Sequence, residues 1–576
     1  MTLTSKMTGA QILWEALARL DVEVVFGYPG GAIMPAYDAL GQARVRHVLV
    51  RHEQGAAHMA DGYARTSGKV GVCVSTSGPG ATNLVTGIAN AMMDSVPIVC
   101  ITGQVASPML GTDAFQEVDI TGVTLPITKH NYLVTRADEI ASTLREAFFI
   151  ARSGRPGPVL VDITKDAQQA VVDFVWSEAP VRLPGYRPEY QIADASLDKA
   201  LELIAHARRP VILAGHGIVA SGSGALLRDL VDRTGIPVAS TLLGLGGFPA
   251  THPLSLGMMG MHGEAWVNCA IQEADLLIAL GMRFDDRVTG KLSTYAVNAR
   301  KIHIDIDPSE IGKLVKVDVG IVGDVAEVLS RLLPLVKFRD ISRWHERISE
   351  LKGDSAVRDI QTLPASGKLY AAHVMHDLYR LTGGAALVVT DVGQHQMWEA
   401  QYYRHDHPRR LLTSGGLGTM GFALPAAIGA RHADPDAEIW VIVGDGGFQM
   451  TAAELSTCAQ EDIKLNVAII NNGFLGMVRQ WQEFFYDRRY AATPLRSPDF
   501  VKLAEAHGLL GLRVDKRADV LDAVQRARQD EGTVVMDFRV EQEDSVYPMV
   551  PAGADLHAMI RRPEKSALVE TAADPI

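Results

Sequence analysis

The sequence has few cysteines and no excess of positive charge. Its four cysteines, Cys73, Cys100, Cys269 and Cys458, lie far apart in 576 residues and form no C-x-x-C pair. This spacing argues against a disulfide framework or a zinc site and favours reduced, mostly buried thiols. The formal net charge is −12 at pH 7, whereas a nucleic-acid-binding protein normally carries a basic face. We therefore expect no nucleic acid among its partners.

Long apolar segments are also missing. The sequence contains no run of about 18 apolar residues, the length that a membrane-spanning helix requires. An apolar signal segment is not expected near the N-terminus, because Glu15, Arg19 and Asp21 interrupt that region. An arginine- and serine-rich transit segment is absent as well. These features predict a cytoplasmic enzyme of bacterial type without a membrane partner.

One local pattern recurs along the chain. A short β-branched apolar run is followed by a glycine-rich turn and then by a helical pattern, as after residues 70–75, 210–214 and 439–443. Strands that alternate with helices predict parallel sheets covered on both faces, an α/β fold of doubly wound domains. At roughly 100–200 residues per domain, the length suggests about three or four domains.

Two segments interrupt this pattern and predict the domain boundaries. Residues 178–194 are rich in proline, and residues 338–368 are charged with one isolated helical stretch. We interpret both as linkers. The predicted domains are residues 1–180, 190–340 and 368–550, followed by a C-terminal tail at 551–576 whose beginning, near residues 547–559, we expect to be ordered.

A pair of motifs predicts a phosphate and metal site. Gly444-Asp445-Gly446 ends one predicted strand, and Asn471-Asn472 ends the next, 27 positions after Asp445. Both motifs should lie at the carboxyl edge of neighbouring parallel strands, where α/β sheets bind ligands. Glycine and a helix N-terminus suit a phosphate, and Asp445 and Asn472 offer hard oxygen ligands for Mg²⁺. The alternative is an ordinary strand-end aspartate and an ordinary Asn-Asn turn.

A second glycine motif has the form G-x-G-x-x-G, at residues 416–421. Alone it suggests a dinucleotide site, and hence a nicotinamide dehydrogenase. The next acidic residues, Asp434, Asp436 and Glu438, precede the following strand instead of ending it, which weakens that interpretation.

The Gly-Asp-Gly and Asn-Asn pair resembles the signature of thiamine-diphosphate enzymes. The resemblance implies that the side chains of Asp445 and Asn472 and the carbonyl of Phe474 bind Mg²⁺, that Met420 supports the thiazolium ring, and that Gly418 accepts a hydrogen bond from the 4′-amino group. The resemblance gives as cofactor-binding residues Gly31, Ala32, Glu53, Val392, Gly393, Gln394, His395, Gly418, Met420, Asp445, Gly446, Gly447, Asn472 and Met477.

Residues 51–65 resemble the activating-glutamate segment of the same enzymes, which implies that Glu53 is the catalytic acid. Thiamine chemistry needs one carboxylate at the ring N1′, in a poorly solvated pocket, to favour the imino tautomer. The alternative is a glutamate that favours a helix N-terminus. A zinc site is excluded because His52 and His58 are six positions apart and H-E-x-x-H is absent.

Residues 27–32, 111–117, 281–291 and 476–482 resemble acetohydroxyacid synthases (acetolactate synthases), and the likeness extends over essentially the whole chain. It implies a catalytic subunit that decarboxylates pyruvate and ligates the hydroxyethyl unit to pyruvate or 2-ketobutyrate in branched-chain amino-acid biosynthesis. Arg287 would hold the carboxylate of the second ketoacid and Trp481 its alkyl group. Phe115, Gln116 and Lys165 would line the channel. The alternatives are a surface salt bridge for Arg287 and core packing for Trp481.

The resemblance further implies a largely structural FAD in the central domain. The residues implied to contact it are Arg155, Gly215, Gly217, Thr241, Leu242, Met261, His262, Gly281, Arg283, Asp305, Ile306, Asp324 and Val325. Active sites between the subunits of a homodimer or tetramer, and a separate regulatory subunit, are also implied. Two positions depart from the common family residues, namely Ala106 and Gly447.

Three rival functions follow from the same residues. A pyruvate oxidase would also use FAD and thiamine diphosphate but needs no clamp for a second ketoacid. A nicotinamide dehydrogenase would use residues 416–421. A non-catalytic nucleotide-binding protein would not need the full set of Glu53, Asp445, Asn472 and Arg287.

Overall fold

Three parallel six-stranded sheets, each covered by helices, make up the chain, as the alternating pattern predicts. The computed structural model describes residues 6–355, 363–364 and 367–563. Residues 564–576 of the predicted tail and part of the second predicted linker lie outside the described residues. Within those described ranges, no helix is both long and apolar enough to cross a membrane.

The N-terminal sheet has the strand order β3-β2-β4-β5-β7-β6, and a short antiparallel pair, β1 and β8, lies beside it. Strands β2, β4, β5 and β7 are fully buried, as expected for a parallel sheet covered on both faces, whereas the edge strands β3 and β6 are partly exposed. The strands are β1 Lys6–Thr8, β2 Val24–Gly27, β3 Arg46–Leu49, β4 Gly71–Ser75, β5 Ile98–Gln104, β6 His130–Val134, β7 Val159–Thr164 and β8 Val171–Asp173. The helices are α1 Gly9–Arg19, α2 Met34–Ala39, α3 Glu53–Ser67, α4 Pro79–Asn83, α5 Val85–Asp94, α6 Ile120–Thr124, α7 Ile140–Arg152 and α8 Lys165–Gln169.

The central sheet has a different order, β11-β10-β9-β12-β13-β14. Counted from β9, this is the order 3-2-1-4-5-6 that is typical of dinucleotide-binding domains. Its strands are β9 Pro210–Ala214, β10 Val238–Ser240, β11 Ser255–Met258, β12 Leu276–Leu280, β13 Arg300–Asp305 and β14 Val319–Val322. The helices are α9 Asp194–His206, α10 His216–Ala220, α11 Gly224–Thr234, α12 Ala265–Glu273, α13 Asp286–Thr289, α14 Val325–Leu332 and α15 Ser342–Ser355.

The C-terminal sheet has the order β16-β15-β17-β18-β20-β19. Its strands are β15 Leu387–Thr390, β16 Leu411–Thr413, β17 Ile439–Gly444, β18 Asn466–Asn471, β19 Leu510–Val514 and β20 Val534–Arg539. The helices are α16 Ala371–Thr382, α17 Gln394–Tyr402, α18 Ala423–Ala433, α19 Asp445–Thr451, α20 Leu455–Gln460, α21 Gly476–Phe485, α22 Phe500–Ala506 and α23 Val520–Gln529.

Helices α3 and α18 join the N-terminal and C-terminal domains. They approach so closely that a Cβ at Gly62 would lie 2.0 Å from the Ala426 carbonyl oxygen, and one at Gly429 would lie 1.9 Å from that of Met59. Small residues are required at both positions, because any side chain would push the helices apart. The two domains consequently share one apolar core.

Two local expectations were wrong. The glycine-rich segment after residues 439–443 was predicted to be a turn, but it is helical, because α19 starts at Asp445, with Gly444 as its N-cap. The helical stretch interpreted as part of a linker, α15, instead packs on the central domain. Trp344 is buried there and its indole N–H donates to the Pro210 carbonyl oxygen at 3.1 Å.

Candidate active site

A small cavity lies at the carboxyl edge of the C-terminal sheet, where the chain leaves the neighbouring strands β15 and β17 in opposite directions along the sheet. The loops after β15, β17 and β18 meet there. This place, where the strand order reverses, is the switch point at which open α/β sheets bind ligands. A Cβ at Gly393 or at Gly444 would lie 2.9 Å from Cε1 of His395, so glycine is required on both sides of that ring. The predicted cofactor and metal residues that line the cavity are Val392, Gly393, Gln394, His395, Met420, Asp445, Gly446, Gly447, Asn472, Phe474 and Met477.

Oxygen donors cluster at one side of this cavity. Burial raises the pKa of Asp445 to about 6, and its Oδ2 accepts a hydrogen bond from Ser497 Oγ at 2.9 Å. The Asn472 amide group donates to Gln394 Oε1 at 3.1 Å, which fixes its orientation. Among the described residues, no group of three or more His, Cys, Asp or Glu side chains could hold a metal. A cation here would depend on one carboxylate, one amide and a main-chain carbonyl, a hard set that suits Mg²⁺.

His395 has a buried nitrogen that nothing in the described part of the chain satisfies. Its Nε2 lacks a hydrogen-bond partner, and burial lowers the pKa of the imidazole to about 3, so the ring is neutral. Buried polar atoms in native proteins are normally paired. A ligand oxygen in the small cavity would supply the missing partner.

A larger cavity of about 920 Å³ adjoins it, and residues of all three domains line it. In the central domain it lies beyond the carboxyl ends of the neighbouring strands β9 and β12, which the chain leaves in opposite directions along the sheet. A Cβ at Gly217 would lie 2.6 Å from Cα of Gly281, so glycine keeps the two turns in contact there. Of the predicted FAD residues, all but Gly215 line this cavity, namely Arg155, Gly217, Thr241, Leu242, Met261, His262, Gly281, Arg283, Asp305, Ile306, Asp324 and Val325.

Arg287, Trp481 and Met420 meet in the larger cavity, together with Gly418. The Arg287 side chain is 58% exposed and its only ion-pair contact among the described residues is a loose one, 3.8 Å to Asp286. Trp481 is half-buried on α21 and contacts the Phe485 ring. The loose contact with Asp286 is one of the surface ion pairs considered for Arg287, and Trp481 is neither fully exposed nor fully buried.

Methionine forms much of the wall of the larger cavity, which the sequence did not suggest. Eight of the chain's 19 methionines line it, and they come from many separate segments. Methionine is flexible and polarisable and makes favourable contacts between sulfur and aromatic rings. The methionines of this wall are Met93, Met258, Met259, Met261, Met282, Met397, Met420 and Met477.

Glu53 lies apart from both cavities. It is the first residue of α3, is 8% exposed, and accepts a hydrogen bond from Asn83 Nδ2 at 2.9 Å. The main-chain N–H groups of Arg51 and His52 beside it donate to Glu454. Glu454 lies in the short 3-10 turn between α19, which begins at Asp445, and α20. Within one chain, Glu53 thus lies near the turn after the C-terminal end of α19, whereas Asp445 is at the N-terminal end, and Glu53 lines neither cavity.

Several other predicted residues also line neither cavity. Phe115 is 88% exposed, and Gln116, Lys165, Gly31 and Ala32 lie in the same N-terminal domain as Glu53. Among the residues that the structure describes, this group does not meet the residues of the C-terminal domain that were predicted to share its site.

Two site residues were missed from the sequence. The Asp391 carboxylate, directly after β15, accepts from the main-chain N–H groups of Val392 and Gly421 at 2.8 and 2.9 Å, and burial raises its pKa to about 7. A Cβ at Gly447 would lie 2.7 Å from it. Gln480 accepts a hydrogen bond from Gln394 Nε2 at 2.8 Å. The strand-end position of Asp391, like that of Asp445, is the signal that could have found it.

Three stretches of the chain match models of one enzyme class. They are the N-terminal TPP binding domain, the central domain and the C-terminal TPP binding domain of thiamine pyrophosphate enzymes, over residues 7–123, 197–332 and 391–538. The fold and the site thus define the chain as a thiamine pyrophosphate enzyme, and the predicted class is confirmed.

The similarity to individual relatives is more specific. The chain is 51% identical to the acetolactate synthase large subunit of Corynebacterium glutamicum over 95% of this chain and 89% of the relative. It is 52% identical to the large subunit of Mycobacterium tuberculosis, over 95% and 90%. A probable large subunit of Methanocaldococcus jannaschii is 46% identical, over 96% and 95%. This chain belongs to the acetolactate synthase large subunits, which confirms the function predicted from the sequence.

Proposed function

We propose that this chain decarboxylates pyruvate and joins the resulting two-carbon unit to a second ketoacid, either pyruvate or 2-ketobutyrate. The products would be 2-acetolactate and 2-aceto-2-hydroxybutyrate. One observation carries the proposal: Arg287 and Trp481 face the same cavity as Met420, beside the small cavity. A guanidinium that is loosely paired and a flat apolar ring therefore lie where a second substrate must meet the cofactor.

The small cavity fits thiamine diphosphate and one Mg²⁺. Asp445, Asn472 and the Phe474 carbonyl would hold the metal, and the unpartnered nitrogen of His395 suits a phosphate oxygen. When bound, thiamine diphosphate supplies the electron sink for decarboxylation and carbon–carbon bond formation. The protein's task is to bind, orient and exclude water.

Glu53 would hold a proton at N1′ of the aminopyrimidine ring. Its burial and its hydrogen bond from Asn83 restrict the carboxylate to one orientation. Because Glu53 lines neither cavity of its own chain, we propose that it serves the site of a second copy of this chain. The exposure of Phe115 and of Leu125, 88% and 69%, supports an apolar surface that such a copy would cover.

Arg287 would bind the carboxylate of the second ketoacid with two parallel hydrogen bonds, the strong arrangement for a guanidinium. Trp481 would contact the alkyl group. Met477 and Trp481 are four positions apart on α21 and so share one face of the helix. A pocket of this kind distinguishes one methylene group by only about 1–3 kcal/mol.

The larger cavity fits FAD. Its central-domain wall combines the glycine contact at β9 and β12, the strand-end carboxylate Asp305 and the methionine wall, which suits a planar aromatic ring. Burial raises the pKa of Asp305 to about 6. We propose a structural role for this flavin, and an additional, separate regulatory subunit as partner.

The decisive experiment incubates the purified protein with pyruvate, thiamine diphosphate, Mg²⁺ and FAD, with and without 2-ketobutyrate. We expect acetolactate, partly replaced by acetohydroxybutyrate when 2-ketobutyrate is added, and no peroxide. Acetate with peroxide or with reduced flavin would contradict the proposal in favour of a pyruvate oxidase.

Binding of FAD has a test that is independent of activity. Mild oxidation with peroxide, followed by peptide mass spectrometry, reports the exposure of each methionine. FAD should slow the oxidation of Met258 and Met261 but not that of Met109, which lies outside both cavities. Equal oxidation with and without FAD would contradict the assignment.

A further inference from the structure

The loop of residues 415–421, here called the cofactor loop because it carries Gly418 and Met420, is held by the N-terminal domain. The main-chain N–H groups of Gly415 and Gly416 donate to the Asp94 carboxylate at 3.1 and 2.7 Å. Asp94 is the last residue of α5 and is 2% exposed. A Cβ at Gly416 would lie 2.8 Å from Asp94 Oδ1, so the contact requires glycine.

A second attachment of the loop uses the same helix. Ser414 Oγ donates to Asn90 Oδ1 at 2.6 Å and accepts from the Thr419 N–H at 2.9 Å. The Thr419 hydroxyl also donates to Asn90 Oδ1, at 3.1 Å. Asn90 lies one turn before Asp94 on α5, so a single helix face contacts the loop on both sides of Gly418.

Arg65 of α3 fixes Asp94 in turn. Its guanidinium donates to Asp94 at 2.8 Å, to Asp61 at 2.5 Å and to the Thr413 carbonyl oxygen at 3.0 Å. These side chains are buried. Two carboxylates share one guanidinium, so the N–H groups of Gly415 and Gly416 provide part of the stabilisation that the Asp94 charge needs away from water.

We propose that Asp94 is a positioning residue for catalysis: it fixes the cofactor loop from another domain and thereby sets where Gly418 and Met420 meet the cofactor. The inference rests on the cofactor roles of Gly418 and Met420 in the proposed function. Asp94 acts through the loop and needs no contact with a reacting atom. A misplacement of about 1 Å at a site of this kind costs about 100-fold in rate.

The test substitutes Asp94→Asn, which keeps the side-chain volume but turns one acceptor into a donor facing other donors. The matched control is Asp162→Asn, a buried aspartate of the same domain whose hydrogen bonds go to Thr102 and Gln104 instead. Both variants are measured as holoenzymes, with kcat expressed per bound thiamine diphosphate.

We expect Asp94→Asn to lower this kcat by about 10- to 100-fold and to change the near-ultraviolet circular dichroism of the bound cofactor. The KM for pyruvate and the affinity for thiamine diphosphate should change much less, because the small cavity is untouched. A merely structural role would lower the thermal midpoint and the cofactor affinity together and leave kcat per bound cofactor at the Asp162→Asn value. That result would overturn the proposal.

Ser414→Ala is the second variant and decides the question if Asp94→Asn does not fold. It removes the hydroxyl that joins Asn90 to the Thr419 N–H, changes no charge and leaves the direct bond from the Thr419 hydroxyl to Asn90, so we expect a smaller loss of kcat and the same spectral change. A Ser414→Ala holoenzyme with wild-type kcat and spectrum would overturn the proposal. A wild-type protein that forms no acetolactate would instead overturn the proposed function, and the positioning role with it.

Discussion

The N-terminal and C-terminal domains are built on the same sheet and yet carry different halves of a site. Counted from β2 and from β15, the strands of both sheets follow the order 2-1-3-4-6-5. The sixth strands even match in detail, since Asp162 of β7 and Asp537 of β20 are the fourth residues of their strands. Around the C-terminal switch point, however, lie glycines and Asp445, whereas the N-terminal domain offers Glu53.

This difference shows that the topology of the sheet determines where a crevice lies, whereas the side chains determine what the crevice binds. A reversal of strand order opens a crevice in both domains, and the side chains after the strands then determine which half of a cofactor fits. The central domain, with the order 3-2-1-4-5-6, has its crevice at the carboxyl ends of β9 and β12. The comparison predicts that substitutions in the N-terminal domain and in the C-terminal domain should affect different properties of the enzyme.

Substitution of Glu53, the carboxylate that the N-terminal domain contributes, should have the largest effect, and it should change the rate alone. We expect Glu53→Gln to lower kcat by about 100- to 10,000-fold, the usual contribution of a placed acid or base. Binding of thiamine diphosphate, followed by fluorescence quenching, should be retained because the diphosphate site is in the other domain. The control is Glu23→Gln, an exposed glutamate of the same domain. Equal rates for the two variants would refute the assigned role.

Substitution of Asp445, in the C-terminal domain, should mainly weaken the binding of Mg²⁺ and of the cofactor. We expect Asp445→Asn to weaken the apparent Mg²⁺ affinity by about 100-fold, at least the loss seen when a metal's outer-shell partners are removed. The titration monitors cofactor binding as Mg²⁺ is added, with Asp434→Asn as control because Asp434 pairs with Arg410 outside both cavities. An unchanged Mg²⁺ requirement in Asp445→Asn would move the metal site elsewhere.

A residue outside the matched switch points should affect only the choice of second substrate. We expect Trp481→Leu to change the ratio of acetohydroxybutyrate to acetolactate by about tenfold, within the 1–3 kcal/mol that an apolar pocket offers. The rate with pyruvate alone serves as internal control and should change less than the ratio. A constant product ratio across a range of 2-ketobutyrate concentrations would show that Trp481 does not contact the alkyl group.

The features that could be predicted from the sequence are those that depend on residues close together in the chain. Glycines after a strand, as at Gly444 and Gly446, and an amide after the next strand, Asn472, stand close in sequence to the cavity they form. The apolar stripe of α15 was also readable, since Trp344 and Ile348 are four positions apart, but the charges around it suggested a linker.

Contacts between distant segments could not be predicted. Asp94 and the Gly415 N–H are separated by 321 positions, and an aspartate at the end of a helix has no distinctive local pattern. The methionine wall has the same origin, because its members come from all three domains and become neighbours only after folding. The separation of Glu53 from the small cavity depends on how α3 packs on α18, which no motif encodes.

The smallest expected effect is on the pH dependence of stability, and it concerns the two matched aspartates, Asp162 and Asp537. Within the described part of the chain, the hydrogen bonds that Asp162 accepts come from neutral groups, and burial raises its pKa to about 7. Asp537 is equally buried but lies 3.3 Å from Arg539 and 3.8 Å from Arg513. The aspartate at this strand position is thus bonded to neutral groups in the N-terminal domain, whereas in the C-terminal domain it is paired with two arginines.

Between pH 4 and 7 the folded protein keeps a proton on Asp162 that the unfolded chain has already lost. Stability contributed by this group is therefore fully present below its unfolded pKa and falls, as pH rises towards 7, by about 1.4 kcal/mol per pH unit. We expect Asp162→Asn to remove that decline, seen as a smaller drop of the thermal midpoint from pH 5 to pH 6 than in the wild type. Asp537→Asn should instead lower the midpoint at both pH values, because it breaks a buried pair. Identical pH profiles for wild type and Asp162→Asn would show that the Asp162 carboxyl is already ionised in the folded domain.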